Sequence, residues 1–188
     1  MTEQIQAFDF AILDGIQNSL ACDFLDVLMP LISFLGNGGL IYFLTAGVML
    51  IFRRYRACGV NILLFMAIGA VAASLILKPL IARDRPCWIN EAHEMLVAVP
   101  QDFSFPSGHT LHAFGLATVA MFYDKRIGIP ALIFAVLMGF SRMYLYVHFP
   151  TDVLCGAILG VSLALGTVAL ARVLFKSLSK RFSSFCDM

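Results

Sequence analysis

Three short polar blocks interrupt an otherwise apolar chain, and each carries groups suited to an oxyanion. The first is Lys78-Pro79-Leu80-Ile81-Ala82-Arg83-Asp84-Arg85-Pro86. Lys78 supplies a point charge there, and Arg85 a fork able to hold two oxygens at once. The same side chains can instead snorkel from a helix end to lipid headgroups. Arg83 and Asp84 lie inside this block as headgroup contacts or a local ion pair. The second block, Pro106-Ser107-Gly108-His109, precedes an apolar run of helical length. Ser107 and Gly108 then fall at a helix N-terminus, where free N–H groups and the helix dipole favour an anion. Gly108 also lets backbone approach a ligand closely. The plainer alternative is an N-cap followed by a packing histidine. His112 can share a face with His109, but neither an HExxH pattern nor a carboxylate at ligand spacing accompanies them, so no metal is expected. The third block runs from Ser141-Arg142 to His148-Phe149-Pro150-Thr151-Asp152. Arg142 and His148 would stand about 240° apart on a continuous helix. His148 is therefore expected beyond the helix end, which Pro150 favours. Thr151 or Asp152 can cap the next helix. Asp152 is expected to accept the His148 ring N–H, orienting the imidazole and raising its basicity as in a catalytic triad. The alternative is an interfacial belt of Tyr144 and Tyr146 with a capping aspartate.

The elements that position these blocks are long uncharged runs. The 188-residue chain is 60% hydrophobic and 13% charged, where a soluble domain carries about 25% charge. That excludes a disordered chain, a nucleic-acid binder with a basic face and an ordinary water-soluble globule. No charge occurs over Val27–Phe52, Ala57–Leu77, Phe103–Tyr123 or Val153–Ala171. Ile127–Ser141 adds a further run that spans if it continues past Arg142 to about Tyr146. A helix needs about 20 residues to cross about 30 Å of hydrocarbon. The expectation is an all-α, polytopic transmembrane bundle of about five spans, and these runs lack the alternation of a β-barrel. Pro30 and Gly36-Asn37-Gly38-Gly39 weaken the first run, leaving open one kinked helix or a half-helix followed by a span. Before it, Ile5, Phe8, Ile12 and Ile16 recur at helical spacing among Gln6, Asp9 and Gln17. This pattern predicts a sixth, amphipathic helix at the membrane surface. The chain thus divides into an N-terminal interfacial segment (1–26), a transmembrane catalytic domain (27–172) and a basic tail (173–188).

Charge asymmetry orients the bundle. Arg53, Arg54, Arg56, Lys125, Arg126, Arg172, Lys176, Lys180 and Arg181 fall on one side, which the positive-inside rule makes cytoplasmic. Lys78, Arg83, Arg85 and Arg142 fall at the opposite, outer face, where intramembrane cations are costly and need a reason. The five cysteines are scattered and show no CxxC spacing. Cys22 and Cys87 both fall on the outer side, where a pair is open.

Together the blocks read Lys78-x6-Arg85-Pro86, Pro106-Ser107-Gly108-His109 and Ser141-Arg142-x5-His148-x3-Asp152. This pattern resembles the three-part signature of the type 2 phosphatidic acid phosphatase (PAP2) superfamily, in its membrane branch, with no signature position missing. The resemblance implies a metal-independent phosphatase without cofactors. His148 would attack phosphorus and form a phosphohistidine, with Asp152 holding its tautomer, while His109 protonates the leaving oxygen and later activates water. Lys78, Arg85, Ser107, Gly108 and Arg142 would hold the phosphoryl oxygens, whose charge spreads over three equatorial positions during transfer. A site at the water–lipid boundary selects an amphiphilic substrate, either a phospholipid or a polyprenyl phosphate or diphosphate. The short chain resembles bacterial undecaprenyl-diphosphate phosphatases of the cell (inner) membrane, acting on its outer face. Phosphatidylglycerophosphate or phosphatidic acid phosphatases, and a phosphotransferase to a lipid or sugar hydroxyl, use the same residues. A non-enzymatic lipid carrier or channel would need neither a nucleophile nor an acid.

Overall fold

The computed structural model describes residues 3–186, with side chains as far as Val173. The basic residues of the tail beyond Arg172 therefore lie outside the described side chains. Among the described residues every regular element is helical: α1 (Glu3–Leu20), α2 (Asp23–Gly36), α3 (Leu40–Ile51), α4 (Arg56–Ala70), α5 (Lys78–Ile81), α6 (Pro86–Ile89), α7 (Gly108–Tyr123), α8 (Lys125–Tyr144) and α9 (Pro150–Cys186). Four segments are long and apolar enough to cross a membrane: Asp23–Ile51, Arg53–Ile89, Lys125–Tyr144 and Pro150–Val173. The fifth expected span, α7, has 16 residues, a rise of about 24 Å. It is the central helix, burying Leu111, Ala113, Leu116, Ala117, Val119 and Ala120. α9 crosses it closely because Gly160 has no side chain, and a Cβ there would lie 2.3 Å from the Leu111 carbonyl oxygen. Small residues at such crossings let helix backbones meet in a bilayer. Phe24, Leu75, Leu154 and Ile158 stay exposed on the outer surface of the bundle, where lipid is their natural solvent.

The first apolar run resolves as two helices. Gly38 and Gly39 take φ of 59° and 76° between α2 and α3, a left-handed conformation that glycine adopts without steric cost. Pro79 would be expected to end the next span at Lys78, but the helix runs on to Ile81. Residues Val71–Leu77 form a π-helical stretch, and the Lys78 N–H donates to Ala73 O. This i→i+5 widening shifts the carbonyls that a proline ring would otherwise strike. The turn ends on Ala82, with φ 47°.

The N-terminal amphipathic helix is present as α1, with one correction. Asp9, expected among its polar residues, lies on the buried side with Leu13. Leu13 packs against Tyr146 and Phe149. Gln17 Nε2 donates to Tyr144 O at 2.6 Å, and the Tyr146 hydroxyl donates to Asp14 at 2.9 Å. α1 is thereby fastened to the segment joining α8 and α9.

Candidate active site

The three blocks meet at the end of the bundle where α5 stops, α7 begins, α8 ends and α9 begins. Lys78, Arg85, Gly108, His109, Arg142 and His148 line one cavity of about 1400 Å³. Its remaining wall is largely apolar, including Val27, Leu31, Phe34, Phe43, Leu63 and Met66. Ser107 and Asp152 stand behind this lining. Ser107 caps α7, but its hydroxyl pairs with Thr110 Oγ1 at 2.9 Å.

Lys78 and Arg85 are 7% and 2% exposed, so they do not snorkel to the surface. Lys78 Nζ donates to Phe103 O at 2.9 Å and to the Asp102 carboxylate. Arg85 donates to Asp102 O at 2.6 Å, Asp102 Oδ1 at 2.7 Å and Val147 O at 2.7 Å. Burial pushes the Asp102 carboxyl up, but Lys78 and then Arg85 hold it at about 2. A phosphoryl group would compete with Asp102 for these N–H groups. Arg142, in the last turn of α8, donates to the Ser33 hydroxyl. Its buried Nε has no hydrogen-bond partner among the described residues.

His109 enters from the first turn of α7. Its Nε2 lies 2.9 Å from Asn37 Oδ1, and Tyr42 OH donates to its carbonyl at 3.1 Å. Gly36 makes room for the ring, since a Cβ there would stand 2.6 Å from His109 Cδ2. The α2–α3 break thus grips this histidine. His112 instead donates to Gly108 O at 2.8 Å.

His148 lies past the end of α8, where its N–H reaches Arg142 O at 3.3 Å. Nε2 faces Arg85 Nη1 at 3.3 Å. Burial first, and then the charges of Arg85, Arg142 and Lys78, hold the imidazole well below its usual pKa. That shift favours the neutral ring, in which one nitrogen keeps a lone pair. The expected direct contact with Asp152 is longer than a hydrogen bond, at 3.8 Å from Nδ1 to Oδ2,. Asp152 is committed elsewhere. Oδ2 accepts from Ser104 Oγ at 2.5 Å and from Phe149 N at 3.0 Å, while Oδ1 accepts from Arg83 at 2.5 Å. The Phe149 contact is the reciprocal half of a capping box, with Asp152 in the first turn of α9. Arg83 is neither a headgroup contact nor paired with exposed Asp84. It points inward, bridges Asp152 to Asp9 at 2.6 Å and stacks 3.9 Å over the Phe149 ring. Tyr144 and Tyr146 are each 1% exposed, so they are core residues and not an interfacial belt. Cys22 and Cys87 are both free thiols.

Sequence reasoning missed Asp9, Ser33, Asn37, Asp102 and Ser104 and misjudged Arg83. The Arg83 signal was present as a costly outer-face cation, read as a headgroup contact or a local ion pair with Asp84. Ser104 lay inside an apolar run and gave no sign.

A family model described as the PAP2 superfamily matches residues 59–176. The chain belongs to the PAP2 superfamily. It is 34% identical over 81% of its length to phosphatidylglycerophosphatase B of Bacillus subtilis, covering 70% of that protein. It is 35% identical over 60% of its length to an undecaprenyl-diphosphatase of Sulfolobus acidocaldarius, spanning only about half (55%) of that protein. Among solved structures it resembles a transmembrane PAP2-type phosphatidylglycerolphosphate phosphatase from Bacillus subtilis, with a TM-score of 0.74 and 30% identity, covering 91% of this chain and 88% of that one. The Aquifex aeolicus LpxE structure gives a TM-score of 0.70 at 29% identity, covering 85% and 94%. With its apolar helices and membrane relatives, this PAP2 chain is an integral membrane protein.

Proposed function

We propose that this PAP2 chain hydrolyses the phosphate or diphosphate headgroup of a membrane lipid through a phosphohistidine, with undecaprenyl diphosphate as the first-choice substrate. The observation that carries the reading is one continuous cavity lined both by histidines and cations and by a largely apolar wall. Such a space suits a headgroup joined to a hydrocarbon tail. Lys78, Arg85, Arg142 and the Gly108 N–H would hold the phosphoryl oxygens. His148 Nε2 forms a bond to phosphorus as the bond to the leaving oxygen breaks, and His109, entering as the imidazolium when the substrate's negative charge offsets the neighbouring cations, gives that oxygen a proton and is left neutral. His109 then takes a proton from water, whose oxygen attacks phosphorus and breaks the P–N bond. Phosphate leaves and His148 returns neutral.

The relative named undecaprenyl-diphosphatase supports the substrate choice. The fuller coverage of phosphatidylglycerophosphatase B favours a second reading, phosphatidylglycerophosphate. The reading also puts the site on the outer face, because Arg53, Arg54, Arg56, Lys125 and Arg126 stand at the opposite end of the helices. Labelling of Asn90→Cys by an impermeant thiol reagent in intact cells is expected, and protection until lysis would reverse that orientation.

The test of function is phosphate release by purified protein from undecaprenyl diphosphate, phosphatidylglycerophosphate and phosphatidic acid. Undecaprenyl diphosphate should give the highest kcat/KM, orthovanadate should inhibit and EDTA should not. His148→Ala should abolish turnover in a folded protein. Retained turnover in that variant, or EDTA loss restored by a divalent ion, would reject the mechanism.

A further inference from the structure

We infer that Ser104 is a positioning residue interposed between Asp152 and His148, completing a His148–Ser104–Asp152 relay that Arg83 and Asp9 anchor from behind. The inference rests on the histidine-nucleophile reading above and deepens it.

Ser104 is fully buried. Its single proton is committed to Asp152 Oδ2 at 2.5 Å. Toward His148 Nδ1, 3.4 Å away, the same oxygen can then act only as an acceptor. Nδ1 must carry the ring proton, which leaves the lone pair on Nε2. The other side of the ring makes the same demand independently. Nε2 sits 3.3 Å from Arg85 Nη1, a group that can only donate. Both neighbours therefore select the tautomer with its free lone pair toward the cationic cavity. When Nε2 bonds phosphorus, the ring gains positive charge. Its Nδ1–H bond to Ser104 strengthens, and the Ser104 hydroxyl is polarised by the carboxylate beyond it. No proton moves along the relay, so His148 and Ser104 keep their own throughout.

The carboxylate cannot swing in to replace the serine. Arg83 holds its other oxygen and is itself held by Asp9 at 2.6 Å and Thr151 Oγ1 at 2.8 Å. Asp9 also accepts from the Thr151 N–H at 3.1 Å. The serine is pinned as well, since its backbone N–H donates to Arg83 O at 2.8 Å. The Ser107 N–H donates to the backbone carbonyl of Asp152 at 3.2 Å, so the second signature block is tied to the third through the main chain of Asp152.

The experiment uses full-length purified protein with farnesyl diphosphate, a short polyprenyl diphosphate, as substrate. Ser104→Ala should lower kcat roughly 10- to 100-fold, the worth of a hydrogen bond to a group that becomes charged, with KM within about twofold. Ser104→Ala combined with Asp152→Asn should be within about twofold of Asp152→Asn alone, because the carboxylate reaches the ring only through the hydroxyl. Nitrogen-15 NMR of labelled histidine should show His148 as the Nδ1–H tautomer in the parent protein and a mixture in Ser104→Ala, a change that loss of packing alone would not produce. Wild-type kcat in Ser104→Ala, multiplying losses in the double variant, or an Nε2–H tautomer in the parent would overturn the relay. Rapid acid-free quenching separates this from failure of the underlying reading. A phosphohistidine trapped in the parent with Ser104→Ala unaffected sinks the relay alone, whereas hydrolysis without any trapped phosphohistidine sinks both.

Discussion

Replacing Arg83 by alanine should destabilise the protein far more than removing either of the charges it holds. Asp9 and Asp152 are both 0% exposed, and the Arg83 side chain is 8% exposed. The guanidinium is the cation shared by two buried carboxylates. Arg83→Ala leaves both carboxylates in a low-dielectric site without it. Breaking a buried pair from one side costs about 3–5 kcal/mol. For a chain of this size each kcal/mol moves Tm by about 2–4 °C, so a fall of roughly 6–20 °C is expected. Asp9→Asn is gentler, because the amide still offers an oxygen to Thr151 and leaves Arg83 and Asp152 as a balanced pair; about 0–2 kcal/mol is expected. The double variant Arg83→Ala/Asp9→Asn should recover part of the loss by removing one stranded charge. The assay is thermal unfolding in detergent followed by a thiol-reactive dye, since Cys58 and Cys87 are 1% and 6% exposed when folded. An Arg83→Ala protein melting within about 2 °C of the parent would refute the reasoning, as would an Asp9→Asn loss equal to that of Arg83→Ala.

Two further outcomes follow from the cavity walls. Gly36→Ala would put a methyl 2.6 Å from His109 Cδ2 and 2.8 Å from Met138 Cε; the ring should turn from Asn37 and kcat should fall at least about tenfold, the scale of a lost oriented proton donor. Gly47→Ala, with nothing within 4 Å of its Cβ, is the matched control, and equal activity in the two variants would count against a positioned His109. Asp102→Asn removes the carboxylate that shares Lys78 and Arg85, so orthovanadate should bind at least about threefold tighter through the freed charge; unchanged or weaker inhibition would mean that Asp102 assists the oxyanion. The Asp102 pKa, lowered to about 2, also fixes a sign: its ion pairs stabilise the fold above the ordinary carboxylate pKa, and that contribution is lost as pH falls through about 2.

The bundle was legible because lipid demands long uncharged helices and leaves few alternatives. The cavity lining was legible because chemistry needs particular residue types at the helix ends. What escaped were the residues that hold those groups. Asp9 reads as one more polar residue of an amphipathic helix, and only tertiary packing shows that its face turns inward. Pro79 reads as a helix end, and only the π stretch at Val71–Leu77 carries the helix past it. The pairing of His148 with Asp152 follows from their i,i+4 spacing, but spacing cannot show that a serine 44 residues upstream stands between them.

The placement of charge explains why these departures belong together. Four buried cations meet three carboxylates at this end of the bundle. Arg83 is shared by Asp9 and Asp152 behind His148, and Lys78 with Arg85 share Asp102 beside the cavity. Arg142 is met by the neutral Ser33 hydroxyl. The uncompensated charge therefore lies on the cavity side, where Lys78, Arg85 and Arg142 can all address one phosphoryl group. The same three cations, added to burial, keep His148 unprotonated. On the proposed mechanism, anion binding and nucleophile activation are thus one electrostatic arrangement. Neutralising Arg85 or Arg142 would weaken the first and relax the second together. Arg83, outnumbered on the far side by two carboxylates, can fix Asp152 without contributing its charge to the cavity.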